Sequence, residues 1–380
     1  SAHDARRRLL ARVARLVPGG HARAQGRHAR CQGVLIEIRT LLDGGQPADE
    51  TAHALADWIS AAQHSLDIAI YDVRLPGPIG TIVRDALTGA AARGVEVRLA
   101  YNLDEDGHPV PVPPPPGTEP GLIESLPFPT AAIPGVPDLM HHKYVIRDKA
   151  AVWSGSTNWT VDSWTREENV IVTAESAELA ARFGIDFDQL WVKRDVGRSG
   201  KVDTAPFDVE GAAVRAWFCP GRGEKLAHRI AKAIGTARRR VRIASPVISS
   251  APILATLAQV ATDGKVDLAG VVDRTQVHDV IGQWRQNGNA AWKEPLLRTA
   301  LTAAPFSGKH STPYAPGSVH DYMHAKVTVA DDIVFVGSFN LSHSGERNAE
   351  NVLEIADAGL AERLAAFIDD VRGRYPAVDL

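Results

Sequence analysis

The spacing of apolar and polar positions divides most of this chain into strands and helices. Residues 34–42 predict a strand, closed by the turn Asp43-Gly44-Gly45. Across 49–62, Ala52, Leu55, Ile59 and Ala62 recur at helical spacing, so one face of a helix meets a core. Strands at 66–71 and 95–101 flank a helix at 79–92, a βαβ alternation that implies a sheet with helices packed on it. Short strands at 144–146, 151–153 and 170–173 and a helix at 177–192 follow. The polar, Gly-containing stretch 193–207 then reads as a link. Between 104 and 138 the pattern breaks. Pro109, Pro111, Pro113, Pro114, Pro115 and Pro116 remove backbone donors, so this stretch is not expected to pair in a sheet. It is read as the wall or lid of a site, against the alternative of a plain surface insertion.

After residue 207 the pattern restarts. The helix at 226–237 matches the earlier one at a constant offset, pairing Ala52 with Ala227, His53 with His228, Ala56 with Ala231, Ile59 with Ile234 and Ala62 with Ala237. Residues 241–245 repeat the strand 66–70. A helix at 253–262, a strand at 266–272 and a last helix at 360–375 complete the copy. An insertion at 282–321 carries Trp284, Trp292, Phe306 and Tyr314, which either line a pocket or pack beneath the insertion. A repeat this long is a duplicated domain and not a solenoid. The expected boundaries are a segment 1–33, a first half 34–200 and a second half 201–380. Two copies related by a pseudo-twofold axis would bring equivalent stretches to one cleft, with the active site between the halves.

The stretches that would meet there are 140–170 and 323–352. Each gives His-x-Lys, four residues and Asp: His141, Lys143, Asp148 and His324, Lys326, Asp331. Each then gives Gly-Ser-x-Asn, with Ser156 and Asn158 in one and Ser338 and Asn340 in the other. Each closes on Glu-Asn-Val, at Glu168 and Glu350. A single copy could be a core strand with a buried histidine and a Gly-Ser turn; the ordered pair is not explained that way. His142, His320 and His343 occupy no repeated position and read as bystanders.

The net charge of −3 on 380 residues is unevenly placed. Residues 1–31 carry eight arginines against the single acid Asp4, so that segment holds +7 and the rest of the chain −10. The acidic body argues against a DNA ligand, whose binding depends on neutralised phosphates. Residues 4–17 predict a basic amphipathic helix with Leu9, Leu10, Val13, Leu16 and Val17 on one face. It either touches an anionic membrane through residues 1–17 or docks on the domain. No run reaches the length of a membrane span. The arginine-broken opening lacks the core of a secretion signal, which leaves the compartment open between a cytoplasmic protein and a secreted one with its leader removed. The two cysteines, Cys31 and Cys219, read as reduced thiols and not as a zinc site.

Two histidines, two lysines and two asparagines in one cleft suit a tetrahedral anion. Lysine charge and asparagine donors stabilise its non-bridging oxygens, and Ser156 and Ser338 can add hydrogen bonds to the phosphate. One neutral imidazole can attack phosphorus while the other, protonated, serves the leaving oxygen. Glu168 and Glu350 are suited to hold the second nitrogen of each ring. Lysine and asparagine are poor metal ligands, so neither a metal nor another cofactor is expected.

These motifs resemble those of the phospholipase D superfamily, H-x-K-x4-D followed by G-S-x-x-N or a near variant, and the resemblance covers the chain from about residue 34. It implies a duplicated α/β/α sandwich and metal-independent phosphodiester cleavage through phospho-histidine. By resemblance His141 is the nucleophile and His324 the acid. Lys143, Lys326, Asn158 and Asn340 hold the phosphate, Glu168 and Glu350 support the histidines, and Asp148 and Asp331 serve local structure. One departure is that six residues separate Asp148 from Gly155 but five separate Asp331 from Gly337. The superfamily includes phospholipases, phospholipid synthases and nucleases, and the motif reads only the phosphate. The basic N-terminus and the Pro-rich and Trp-containing insertions favour a phospholipid, hydrolysed or transferred to an alcohol. The alternative is a nuclease acting on DNA or RNA, which G-S-T-N-W-T and E-E-N also resemble; a non-catalytic scaffold is a minor third reading. With both motifs in one chain, a monomer suffices.

Overall fold

The computed structural model describes residues 36–103, 118, 120–288, 290–315 and 317–380. The helix expected at 4–17, Cys31 and the proline run from 109 to 116 lie outside the described residues. In the first half, the chain runs β1 (Ile36–Leu41), α1 (Ala48–Ser60), β2 (Ser65–Ile70), β3 (Val73–Arg74), α2 (Gly77–Ala92), β4 (Glu96–Leu103) and α3 (Pro120–Glu124). It continues through β5 (Thr130–Pro134), β6 (Lys143–Arg147), β7 (Ala151–Gly155), β8 (Trp159–Thr160), α4 (Val161–Thr165), β9 (Asn169–Glu175) and α5 (Ala177–Lys193). The second half contains β10 (Phe207–Val209), β11 (Ala212–Cys219), α6 (Gly223–Thr236), β12 (Arg240–Ala244), α7 (Ala251–Asp263), β13 (Asp267–Asp273) and α8 (Arg274–Asn287). It ends with α9 (Lys293–Thr302), β14 (Phe306–Lys309), β15 (Val327–Ala330), β16 (Ile333–Gly337), α10 (His343–Arg347), β17 (Glu350–Ala356) and α11 (Ala358–Arg374).

The two large sheets repeat one topology. The first has the order β1-β9-β7-β6-β2-β4-β5 and the second β10-β11-β17-β16-β15-β12-β13-β14. Strand for strand they match, with β10 added at one edge of the second. In each, the two crossovers give parallel pairs (β2 with β4 and β4 with β5; β12 with β13 and β13 with β14), while the motif strands pair antiparallel.

Alternation along the strands sends side chains to both faces. In β2, Leu66, Ile68 and Ile70 meet Leu55 and Ile59 of α1 and Val83 and Leu87 of α2. The intervening Ala69 faces Phe183 and Phe187 of α5. In β12, Val241 and Ile243 pack with Leu226 and Ile230 of α6 and Leu254 of α7. Each sheet is therefore covered on both faces, which makes β2 buried along its whole length. This is the duplicated α/β/α sandwich. One apolar cluster runs across both halves from Phe183, Phe187 and Leu190 of α5 to Leu364, Ile368 and Val371 of α11. The described residues from Ile36 to Leu380 fall in one compact unit.

Two readings of the insertions change. The stretch 104–138 does contribute a strand: β5 pairs with β4 at the sheet edge, where Pro134 owes no donor to a further neighbour. Residues 104–117 and 119, on which the lid reading chiefly falls, lie outside the described residues. In the insertion 282–321, Trp284 and Phe306 pack in the core, Trp292 is exposed, and Tyr314 lies 5.9 Å from the His320 ring. The link 193–207 is packed in, with Val196 and Val202 buried in the shared cluster. Cys219 is a buried free thiol.

The unequal motif spacing is absorbed in one turn. The β6–β7 hairpin pairs Arg147 with Ala151, leaving Asp148, Lys149 and Ala150 in its loop. The β15–β16 hairpin pairs Ala330 with Ile333, leaving Asp331 and Asp332. Asp148 accepts from the backbone N–H groups of Gln63, His64 and Ser65, and Asp331 from those of Arg238, Arg239 and Arg240. Each motif aspartate thus ties its hairpin to the start of the central strand. Gly155 (φ 145°) ends β7 where a Cβ would lie 2.1 Å from the carbonyl oxygen of Val170; a Cβ at Gly337 would lie 2.1 Å from that of Asn351.

Gly155→Ala is expected to destabilise the protein by about 2–4 kcal/mol, seen as a lower denaturant midpoint. Gly184→Ala, inside α5 with open space around the added Cβ, is expected to be neutral or to stabilise by about 0.5–1 kcal/mol. Equal midpoints for the two variants would contradict the close-approach argument.

Candidate active site

The chain's two methionines each precede a motif histidine, and both are fully buried. Their backbone N–H groups are anchored alike: Met140 donates to Asn102 Oδ1 and Met323 to Asp273 Oδ2, both at 3.0 Å. Asn102 and Asp273 stand at matching places at the ends of β4 and β13. The next residue in each copy then reaches across to the other half. The N–H of His141 donates to the carbonyl of Ala349 (2.9 Å), and that of His324 to the carbonyl of Glu168 (3.2 Å). Two parallel bridges, Met140 with Ala349 and Glu168 with Met323, hold these strand starts together. In each copy the lysine two positions on lies on the same side of the extended chain as the histidine. Lys143 Nζ donates to the His141 carbonyl at 2.6 Å and Lys326 Nζ to the His324 carbonyl at 2.5 Å.

The imidazoles are held from the opposite half. His141 Nδ1 lies 2.8 and 2.9 Å from the two carboxylate oxygens of Glu350. His324 Nδ1 lies 3.1 Å from Asn169 Oδ1 and 3.3 Å from Glu167 Oε2. The expectation for Glu350 matches this geometry, and that for Glu168 does not. Glu168 is engaged instead by Lys309 Nζ at 3.0 Å and by the Tyr375 hydroxyl. The reason is a register step. Gly155 pairs with Ile171 and Gly337 with Val352, so the structural counterpart of Glu350 is Asn169, and that of Glu168 is Ala349. The matching Glu-Asn-Val letters are one residue out of structural phase. Glu167-x-Asn169 corresponds to Asn348-x-Glu350, the same acid and amide in swapped order. Each pair is hydrogen-bonded internally, Asn169 to Glu167 at 3.0 Å and Asn348 to Glu350 at 3.3 Å. Aligning E-x-N against N-x-E would have revealed it.

The serines also differ from expectation. Ser156 Oγ donates to Asn169 Oδ1 (2.6 Å) and accepts from the Val170 N–H (2.9 Å). Ser338 Oγ donates to Glu350 Oε2 (2.5 Å) and accepts from the Asn351 N–H (3.0 Å). Their protons are committed to the residues that hold the histidines. Asn158 and Asn340 keep buried carboxamide oxygens without hydrogen-bond partners. Whichever way those amides are turned, polar groups are left for a ligand to satisfy.

Burial governs the charge state. It pushes His141 down to about 4, with Glu350 opposing and Lys143 adding to the shift. It pushes Lys143 down to about 7. His324 and Lys326 are likewise held well below their ordinary values, first by burial and then by the neighbouring cations. Burial lifts Glu167 to about 7. Burial also pushes Glu350 upward, but His141, Lys143 and the Ser338 hydroxyl outweigh it and leave its carboxyl below the usual range. The pocket thus crowds cationic groups that an anion would relieve.

Sequence reasoning missed Glu167, Asn169, Tyr71 and Lys309. The Tyr71 ring meets His141 edge-on at 4.8 Å and lies 4.9 Å from Lys143 Nζ. Lys309 is buried between Glu168, Asp43 and the Arg166 carbonyl. Of the histidines taken as bystanders, His142 is buried on Asp186 (2.9 Å) and His343 is exposed; His320 touches Arg74 of the first half. Among the described residues no group of three or more His, Cys, Asp or Glu is placed to hold a metal ion, and no helix is long and apolar enough to cross a membrane.

Residues 55–191 and 230–371 match the family model described as cardiolipin synthase, PLD-like domain. The mitochondrial cardiolipin hydrolases of Xenopus laevis and Xenopus tropicalis are 35% and 37% identical to this chain over 57 residues. Those matches cover 15% of this chain and about a quarter (27%) of the length of those relatives. The fold is shared with phosphatidylserine synthase from Haemophilus influenzae Rd KW20, at a TM-score of 0.61 and 14% identity over 90% of this chain and 86% of that one. It is also shared with polyphosphate kinase from Porphyromonas gingivalis, at 0.57 and 10% over 88% and 46%. With the family model matched once in each half, around each of the two motifs, the chain belongs to the cardiolipin synthase-type, PLD-like family of the phospholipase D superfamily.

Proposed function

We propose that this protein is a phosphodiesterase of the phospholipid class that works through a covalent phospho-histidine. The observation that carries the proposal is the crossed pair of imidazoles, each held at Nδ1 by the opposite half and set among two buried lysines and two unsatisfied asparagines. The family's description and the cardiolipin hydrolase matches support a phospholipid substrate.

The unequal partners of the two rings support a division of labour. His141 donates its Nδ1–H to an ionised carboxylate, which leaves an Nε2 lone pair for phosphorus. When the P–N bond forms, the ring becomes positive, and Glu350 stabilises that charge more than an amide would. His324 faces an amide oxygen and a carboxyl whose ionisation falls near neutrality, a weaker hold on a proton. That suits a group which must give its proton to the leaving oxygen and take one back from water or an alcohol. An arriving phosphodiester anion raises the proton affinity of His324 and of both lysines, so substrate binding prepares the acid. Lys143, Lys326, Asn158 and Asn340 are the proposed phosphate ligands.

Three outcomes test this. In a paired assay on phospholipid vesicles and on single- and double-stranded DNA, head-group release should occur and vanish in His141→Ala. Nicking without head-group release would move the protein to the nuclease reading. Glu350→Gln should lower kcat about 10²–10⁴-fold with a much smaller change in KM, because the charge it offsets appears only during reaction; a change confined to KM would contradict that role. The affinity for tungstate, a tetrahedral dianion, should be greatest below pH 7. It should then fall as pH rises through the Lys143 value of about 7, because above it the empty site must take up a proton to bind. Calorimetry in buffers of different ionisation enthalpy should show that uptake, and a flat profile from pH 6 to 8 would contradict it.

A further inference from the structure

The segment leading into the second motif carries polar groups that the phosphate chemistry does not use. His320, Tyr322 and His324 are alternate residues of the segment before β15, and the His320 and Tyr322 rings lie together. His320 and Tyr322 are each only 8% exposed, yet His320 Nε2 and the Tyr322 hydroxyl have no hydrogen-bond partner. Buried groups of this kind call for a ligand or a water. The tautomer of His320 follows from its neighbour. Arg74 of the first half donates to His320 Nδ1 at 3.1 Å, so the ring proton sits on Nε2 and points a donor away from Arg74. Arg74 is itself neutralised by Asp72 at 3.0 Å, and the His320 backbone N–H is fixed by Asp162 at 3.1 Å. The Tyr322 ring lies 5.3 Å from the His320 ring on one side, with the Tyr314 ring 5.9 Å from it.

The first motif has no such wall. At the offset that pairs His141 with His324, the positions of His320 and Tyr322 are taken by Pro137 and Leu139. The two motifs are therefore asymmetric: the places of His320 and Tyr322 ahead of the proposed acid are taken, ahead of the proposed nucleophile, by side chains that cannot hydrogen-bond. In-line displacement gives this asymmetry a meaning. His141 Nε2 forms a bond to phosphorus, the P–O bond to the alcohol breaks, and the departing oxygen takes the His324 proton. In the second step an acceptor hydroxyl returns a proton to His324, its oxygen bonds to phosphorus and the P–N bond breaks. The departing and the arriving alcohol both occupy the His324 side.

We propose that His320 and Tyr322, set by Arg74, form the binding wall for that alcohol and select a small uncharged polyol. A fixed N–H donor and a hydroxyl that can donate or accept complement adjacent hydroxyl groups. A quaternary ammonium alcohol would leave both unpaired, a mismatch that discriminates strongly at a buried site. The inference rests on the phosphodiester-transfer reading above and adds to it the residues that divide the reaction between an alcohol and water.

The test uses the full chain with bis(p-nitrophenyl) phosphate as donor, and glycerol or choline competing with water as acceptor. It reads the ratio of transferred to hydrolysed product. The unaltered protein should transfer more to glycerol than to choline at equal concentration. Tyr322→Phe and His320→Ala should each lower the glycerol-to-water ratio roughly three- to tenfold, the scale of one hydrogen bond. His320→Gln, which keeps an N–H near the Nε2 position, should recover part of it. A ratio that stays constant while the total rate falls would make these side chains structural and overturn the proposal. Choline transfer equal to or above glycerol transfer would assign the aromatic wall to a cationic alcohol and overturn it also. If nitrophenol release does not exceed that of His141→Ala, the phosphodiesterase reading itself has failed, and this inference falls with it.

Discussion

Each motif histidine is held at Nδ1 by a residue that its own half does not supply. Glu350 of the second half takes His141, and Asn169 of the first takes His324. Backbone bonds repeat the exchange, from His141 to Ala349 and from His324 to Glu168. Neither imidazole is oriented unless the halves are docked, and the apolar cluster from α5 to α11 supplies that docking. A loss of packing at Phe187 or Ile368 should therefore reach the chemistry through ring orientation, without any change in the residues that would touch phosphate.

The duplication is symmetric in topology and asymmetric in chemistry. Both sheets share one strand order, both motif aspartates tie a hairpin to a central strand, and both glycines end a strand under a carbonyl oxygen. The swap of Glu167-x-Asn169 for Asn348-x-Glu350 then gives one ring a firmly ionised partner and the other an amide. The proposed two-step displacement needs two different histidines, one attacking and one transferring a proton. Exchange of two letters between equivalent positions supplies that difference while the backbone stays the same.

Much of this was legible in the sequence. Apolar periodicity located most of the longer elements of the first half and α6, β12, α7, β13 and α11 of the second, but not β11, β17, α8 or α9; the offset shared by Ala52 with Ala227 and Ile59 with Ile234 survives as the correspondence of α1 with α6. The His-x-Lys pairs were legible because their spacing follows from extended chain. What stayed hidden depended on register. Glu168 and Glu350 match as letters, but one more residue in the first-half loop shifts the strand, and the identical tripeptide masks the alignment of Glu167-x-Asn169 with Asn348-x-Glu350. The serine hydroxyls were assigned to phosphate because their strand partners were not visible. Lys309 and Tyr375, far from either motif in sequence, meet Glu168 only through the fold. The proline-rich stretch was underestimated since its last part, β5, pairs at an edge where proline costs no hydrogen bond.

The division of labour between the two rings depends on which histidine carries the phosphoryl group. The direct measurement is peptide mapping of the intermediate trapped by alkaline quench during turnover of bis(p-nitrophenyl) phosphate, in the unaltered protein and in His324→Ala. Nitrophenolate leaves without a proton, so loss of the acid should slow the second step more than the first and let the intermediate accumulate. The label is expected on His141 in both proteins, with more of it in His324→Ala. Label on His324 in the unaltered protein would invert the roles assigned to Glu350 and Asn169. Turnover with no label on either histidine would contradict the covalent path.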